Sequence, residues 1–277
     1  MGGDIKPNPN NDDDKDISTI KYALSNGINH IDTSESYSGG KSEELVGAAI
    51  KDFNRESLFI ATKVREWNLE YNKIIDSCYQ SLKRLNTSYI DLYYIHKQNE
   101  SANIKEICRA LNFLIDKGVI NNVGLSNVGI KTIKEYNKYL NKKVYAVQNQ
   151  YNLVCRESVK KGILEYCRDN KIKFICWRPI MLTYPQCKNP WYETGNYPIM
   201  DRISQKYGIT NVQLAAKWLL DQDNVYIIFK SNNINHIREI LDVMDFKLDK
   251  KDWEDLNKNF PITFEVGCST NEFFEVV

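Results

Sequence analysis

The sequence predicts an α/β fold of the (β/α)8 TIM-type barrel class, and three observations carry that expectation. Short apolar, β-branched runs alternate with amphipathic stretches at a spacing of roughly 30 residues, the length of one βα repeat. The apolar runs are brief and continuous rather than alternating, as strands of a parallel sheet covered on both faces are. The chain is 277 residues long, the size of one large barrel, and has no GxGxxG after its first strand, the mark of a doubly wound dinucleotide fold.

In chain order, Asp14 and Asp16 place negative charge at the start of a helix that runs to Ser25 and is ended by Asn26-Gly27. A strand follows at Ile28–Asp32. Ser42 is a suitable N-cap, with Glu43 and Glu44 in the first turn of a helix leading to Leu45, Val46 and Ile50. The second strand is Leu58–Lys63, followed by a helical stripe of Ile74, Cys78, Leu82 and Leu85. The third is Ile90–His96, followed by a stripe of Ile107, Leu111, Leu114 and Ile115. Strands at Asn122–Leu125 and Val144–Gln148 precede helices at Lys131–Leu140 and Ser158–Asn170.

Strand Phe174–Trp177 leads into Met181–Ile199, which carries Pro185, Pro190, Gly195 and Pro198 and is too long for an ordinary connection. Its position after a strand reads as a lid or substrate loop (181–199). A helix at Asn211–Asp221, a strand at Val225–Phe229, helices at Ile234–Met244 and Asp249–Asn259 and an apolar tail (260–277) complete the chain. These units and the lack of a linker predict a single domain over 1–277. Seven strands are one short of a closed barrel.

Composition excludes several function classes. With 42% hydrophobic residues the chain can bury a sizeable core, and a net charge of +1 gives no electrostatic footprint for nucleic acid or for a membrane surface. The N-terminal stretch is polar and acidic without an apolar signal core, and Lys6 stands where a myristoylation signal wants Ser or Thr. Seven cysteines, an odd number with no CxxC pair, read as free thiols in a reducing cytoplasm. Three histidines are few for a metal site, and none is expected.

On a parallel barrel all strand C-termini share one face, and chemistry collects there. Asp32 closes the first strand and Tyr37 follows in its loop; Lys63 closes the second strand and His96 the third. Tyrosine holds its proton firmly at neutral pH, but a nearby ammonium favours the phenolate and makes the phenol a better proton donor. A carboxylate keeps the lysine charged and in place, and a histidine beside the phenol can orient a carbonyl oxygen.

At this point the chain resembles the aldo-keto reductases. "GINHIDTSESY", "SEELVGAAI", "LFIATKV", "SLKRLNTSYIDLYYIH", "LIDKGVINNVGLSN" and "VQNQYNL" stand where that family's signatures would. The resemblance implies a (β/α)8 barrel that uses NADPH, or NADH as the alternative, to reduce aldehydes and ketones. Tyr37 would be the general acid, Lys63 and Asp32 its tuning pair, and His96 the carbonyl-orienting group. Ser126, Asn127 and Gln148 match the residues that hold the nicotinamide carboxamide, and Trp177 stands where an aromatic ring lies under the nicotinamide. Lys230, Ser231 and Glu239 match residues at the adenosine phosphate.

Against that pattern, His236 replaces the phosphate-clamping arginine, Ile240 replaces an asparagine, and Arg178 stands where small hydroxyl residues are common. The first barrel strand and floor hairpin of the family have no counterpart, so the first strand is expected to be missing or replaced. Uncovered strand edges could then support an oligomer. The partner expected is a small carbonyl substrate, with no nucleic acid and no membrane. The alternative reading is an NADP(H)-binding regulatory or pseudoenzyme barrel with little turnover.

Overall fold

A computed structural model of the chain describes residues 6–99, 101–182 and 197–260. Residues 183–196, the body of the expected lid loop, and 261–277, the tail, lie outside the described residues. The chain forms two compact units, one mainly Met1–Ala146 and the other mainly Val147–Lys230 with Asn235–Phe273.

The first unit alternates strands and helices: α1 (Asp13–Ser25), β1 (His30–Asp32), a 3-10 turn (Tyr37–Gly40), α2 (Lys41–Ala49), β2 (Phe59–Val64), α3 (Tyr71–Leu85), β3 (Ile90–Ile95), α4 (Ile104–Asp116), β4 (Ile120–Ser126) and α5 (Ile130–Tyr139). The strands pair in chain order, all parallel. Asp32 sits opposite Ala61, Lys63 opposite Tyr94 and Tyr94 opposite Gly124. This register brings the ends of β1, β2 and β3 to one side of the sheet.

The apolar periodicity is used as its spacing demands. Helix α3 buries Ile74, Cys78, Leu82 and Leu85, and α4 buries Ile107, Leu111 and Leu114, each along one stripe. Between α2 and the sheet lies a buried polar anchor. Glu43, fully buried, accepts from the Thr62 hydroxyl and from Arg84 Nε, each at 2.6 Å. A buried carboxylate is tolerated only when paired in this way.

The second unit contains β5 (Ala146–Gln150), α6 (Glu157–Lys160), α7 (Ile163–Asp169), β6 (Lys173–Trp177), α8 (Pro198–Tyr207), α9 (Asn211–Leu220), β7 (Val225–Ile227), α10 (Ile234–Leu241) and α11 (Lys250–Asn259). β6 and β7 pair in parallel, with Phe174 opposite Val225. Trp218 of α9 is fully buried beside Tyr151, ring centroids 5.5 Å apart. Thr210 and Gln213 form a reciprocal capping box at the start of α9.

The structure differs from the sequence expectation at several boundaries. Ser42 is not the N-cap of α2; Gly40, at φ 96°, is, and the helix begins at Lys41. The expected helix Ser158–Asn170 is two helices, because Gly162 at φ 68° breaks it. Pro198 and Ile199, read as loop, open α8, where proline at the first helical positions has no hydrogen bond to lose. The strand expected at Val144–Gln148 is shifted to Ala146–Gln150, and β7 ends at Ile227. β3 stops at Ile95, yet the His96 N–H still donates to the Val64 carbonyl at 3.0 Å.

Helix α2 approaches α3 through Gly47. A Cβ there would lie 2.5 Å from the Arg84 carbonyl oxygen and 2.8 Å from the Leu85 carbonyl carbon, both backbone atoms that cannot swing aside. Gly47→Ala is therefore expected to lower stability by about 1–3 kcal/mol through overpacking. Urea unfolding checks this, with an unchanged midpoint as the contrary result.

Candidate active site

Four side chains named from the sequence meet in the first unit. Lys63 is fully buried at the end of β2, and its ammonium donates to Asp32 Oδ1 at the end of β1 and to the Thr33 carbonyl at 2.7 Å. The same nitrogen lies 4.9 Å from the centre of the Tyr37 ring and 5.9 Å from that of Tyr94. Burial alone would pull the lysine pKa down; attraction to Asp32 and Tyr37 outweighs it, and the pKa is raised. The ammonium, itself fully buried, stays charged at neutral pH.

Tyr37 opens the 3-10 turn after β1 and is about a third exposed, at 38%. Its ring meets His96 edge to face, centroids 5.5 Å apart. Beyond it Ser38, Gly39 and Gly40 all take left-handed conformations, which bend the chain sharply into α2. Burial, with the Lys63 charge beside it, pushes the His96 pKa down to about 3, so the imidazole is neutral at ordinary pH. His96 Nδ1 lies 3.2 Å from Ser34 Oγ and 3.1 Å from Ser36 Oγ, contacts that the sequence reading missed because they depend on how the loop turns.

Glu35, buried between those serines in sequence, turns elsewhere. Its Oε1 accepts from the Arg65 backbone N–H at 2.9 Å, from Arg65 Nε at 3.2 Å and from Asn68 Nδ2 at 3.1 Å. It thereby fixes the loop after β2. Trp67 of that loop is largely exposed and, with Tyr71, Asn99 and Asn103, lines an open cleft. The sequence carried no signal for it, since a lone tryptophan in a polar loop has no periodicity to read.

The residues expected at a cofactor are placed as follows. Ser126 ends β4 and is buried; Asn127 follows at φ 58° and donates from Nδ2 to Ser126 Oγ at 3.1 Å and to the His96 carbonyl at 3.2 Å. In the second unit, Gln148 is buried on β5 and Trp177 ends β6 with the Arg178 guanidinium 5.2 Å from its ring centre. Arg178 thus packs on tryptophan. Lys230 and His236 are exposed, His236 in the first turn of α10, while the Ser231 hydroxyl bonds the Asn233 backbone. The Glu239 carboxylate accepts from the Thr210 hydroxyl, tying α10 to the start of α9.

Other nucleophiles are silent. Five described cysteines are free and buried, and burial pushes Cys78, Cys108 and Cys167 up to about 12. Among the described residues no group of three or more His, Cys, Asp or Glu is arranged to hold a metal ion, and no helix is long and apolar enough to cross a membrane.

The profile of the aldo/keto reductase family matches residues 3–259. Aldo-keto reductase YhdN of Bacillus subtilis is 28% identical over 89% of this chain and 83% of its own. A thermostable aldo-keto reductase solved with the inhibitor epalrestat superposes with a TM-score of 0.86 at 31% identity, covering 93% of this chain and 91% of that one. A Klebsiella pneumoniae aldo-keto reductase solved with NADPH has the same fold, at a TM-score of 0.82 and 23% identity over 90% of this chain and 86% of that one. The chain belongs to the aldo/keto reductase family and has its α/β fold, the (β/α)8 barrel class.

The depressed His96 pKa has a consequence for stability. Below its ordinary value near 6.5 the unfolded chain binds a proton that folded His96 refuses until about pH 3. His96 therefore contributes stability that is complete above pH 6.5 and is lost as pH falls toward 3. Urea midpoints of the wild type are expected to drop more steeply between pH 6.5 and 4 than those of His96→Asn; parallel curves would contradict this.

Proposed function

We propose that this chain reduces aldehydes or ketones to alcohols by hydride transfer from NADPH, with Tyr37 as general acid. The observation that supports it most is the buried Lys63 ammonium, held by Asp32 and facing the Tyr37 ring. Bound NADPH would supply the hydride. As the carbonyl carbon is reduced, negative charge develops on its oxygen, and the Tyr37 hydroxyl delivers a proton there. The phenolate left behind is stabilised by Lys63, whose own charge Asp32 secures. Neutral His96 orients the carbonyl oxygen by a hydrogen bond.

The residue types expected at the cofactor suit it by their chemistry. Ser126, Asn127 and Gln148 carry the hydroxyl and amide groups that pair with a carboxamide, and Trp177 offers a ring face. Lys230, Ser231 and His236 offer a cation, a hydroxyl and an imidazole for a phosphate, and Glu239 shares α10 with His236. NADH remains the competitor at that end, because an imidazole replaces the family's guanidinium.

Two experiments test this reading. Tyr37→Phe should cut carbonyl reduction by about 10²–10⁴-fold while leaving NADPH binding near wild type, since the phenolic proton is used only as charge develops. Retention of more than about half the turnover would remove Tyr37 from the role of acid. His236→Arg should tighten NADPH, because a guanidinium offers a phosphate two parallel N–H donors where an imidazole offers one; an unchanged binding titration would take His236 out of the site.

A further inference from the structure

We infer that Ser34 and Ser36 form a hydroxyl pair that holds His96 in the tautomer with its proton on Nε2, so that the ring presents a donor to a carbonyl oxygen. This rests on the proposed role of His96 and adds positioning residues to it. A neutral imidazole carries one N–H, and the partner of one nitrogen decides where it sits. Only a neutral ring has this choice to make, and the depressed pKa of His96 makes it neutral.

The geometry favours one direction. Both serine oxygens reach Nδ1, at 3.2 and 3.1 Å, and they lie 2.9 Å from each other. Ser34, fully buried, has its oxygen fixed by the Ser36 backbone N–H at 3.2 Å. A chain of protons running away from the ring would pass from Nδ1–H to Ser36, then to Ser34, then to the Lys63 carbonyl. That last link is 3.4 Å, beyond the usual 2.5–3.0 Å of an O–H···O bond.

Running toward the ring, Ser34 donates to Ser36 and Ser36 to Nδ1, through contacts of 2.9 and 3.1 Å. Nδ1 is then an acceptor, and the proton stands on Nε2. Glu35, between the two serines in sequence, takes no part, since its carboxylate is engaged by Arg65 and Asn68. Either serine alone can reach Nδ1, so the pair is redundant.

The test reads the tautomer directly. The chain has three histidines, and protein labelled with ¹⁵N in the imidazole rings gives one spin system for each, that of His96 identified by its loss in His96→Asn. At pH 7 the long-range ¹H–¹⁵N spectrum of wild type should show His96 protonated on Nε2 with Nδ1 bare; the reverse pattern overturns the inference without any serine variant. Ser34→Ala and Ser36→Ala should each keep that pattern. The double variant should show a mixture of tautomers and lose about tenfold in kcat, the worth of one hydrogen bond, with NADPH affinity unchanged. A double variant with the wild-type tautomer overturns the inference. A shifted tautomer with undiminished reduction supports the inference and removes His96 from the proposed chemistry.

Discussion

A charged lysine without access to water is the constraint around which this site is organised. Burying an ammonium carries a desolvation penalty of several kcal/mol unless fixed partners replace its hydration. Lys63 has them in the Asp32 carboxylate and the Thr33 carbonyl. Both belong to the end of β1 and its first loop residue, so the pair also specifies how β1 and β2 must align. A slip of one residue would turn Lys63 to the other face of the sheet and leave two unpaired charges. The proposed chemistry and the strand register draw on the same contact.

Around that contact the loops convert strand ends into a site. The stretch after β1 carries Ser34, Ser36 and Tyr37, all three in contact with His96, and three consecutive left-handed residues then bend it into α2. Gly40 cannot be replaced cheaply there, because at φ 96° a Cβ would also meet the Arg84 side chain at 2.8 Å. Arg84 is the partner of the buried Glu43, so the turn and the α2–α3 packing share one residue. Tyr37 is in this sense positioned by a network that reaches well behind it.

The strands and their terminal residues were legible because two local signals coincide at each. A continuous apolar run marks a strand covered on both faces, and a polar residue at its end has nowhere to project except the strand-end loops. Asp32 ends β1, Lys63 is the last residue but one of β2, and His96 directly follows β3. What was not legible depends on backbone conformations that several residue types can adopt. Gly40 rather than Ser42 caps α2, because the glycine takes a left-handed conformation that the sequence around it does not announce. Gly162 divides a stretch whose periodicity alone reads as one helix, and Pro198 starts a helix where a proline-rich stretch reads as loop. The contacts of Ser34 and Ser36 with His96 belong to the same class, since they follow from the turn and not from any spacing.

The central claim is that the charge on Lys63 lets Tyr37 give up its proton. Lys63→Met keeps the length of the side chain and removes the charge, and the rate of a single hydride transfer to an aldehyde, followed by stopped-flow at saturating NADPH, isolates the chemical step. The account predicts a fall of at least about 10²-fold with the NADPH dissociation constant near wild type. A single-turnover rate within about twofold of wild type would contradict it.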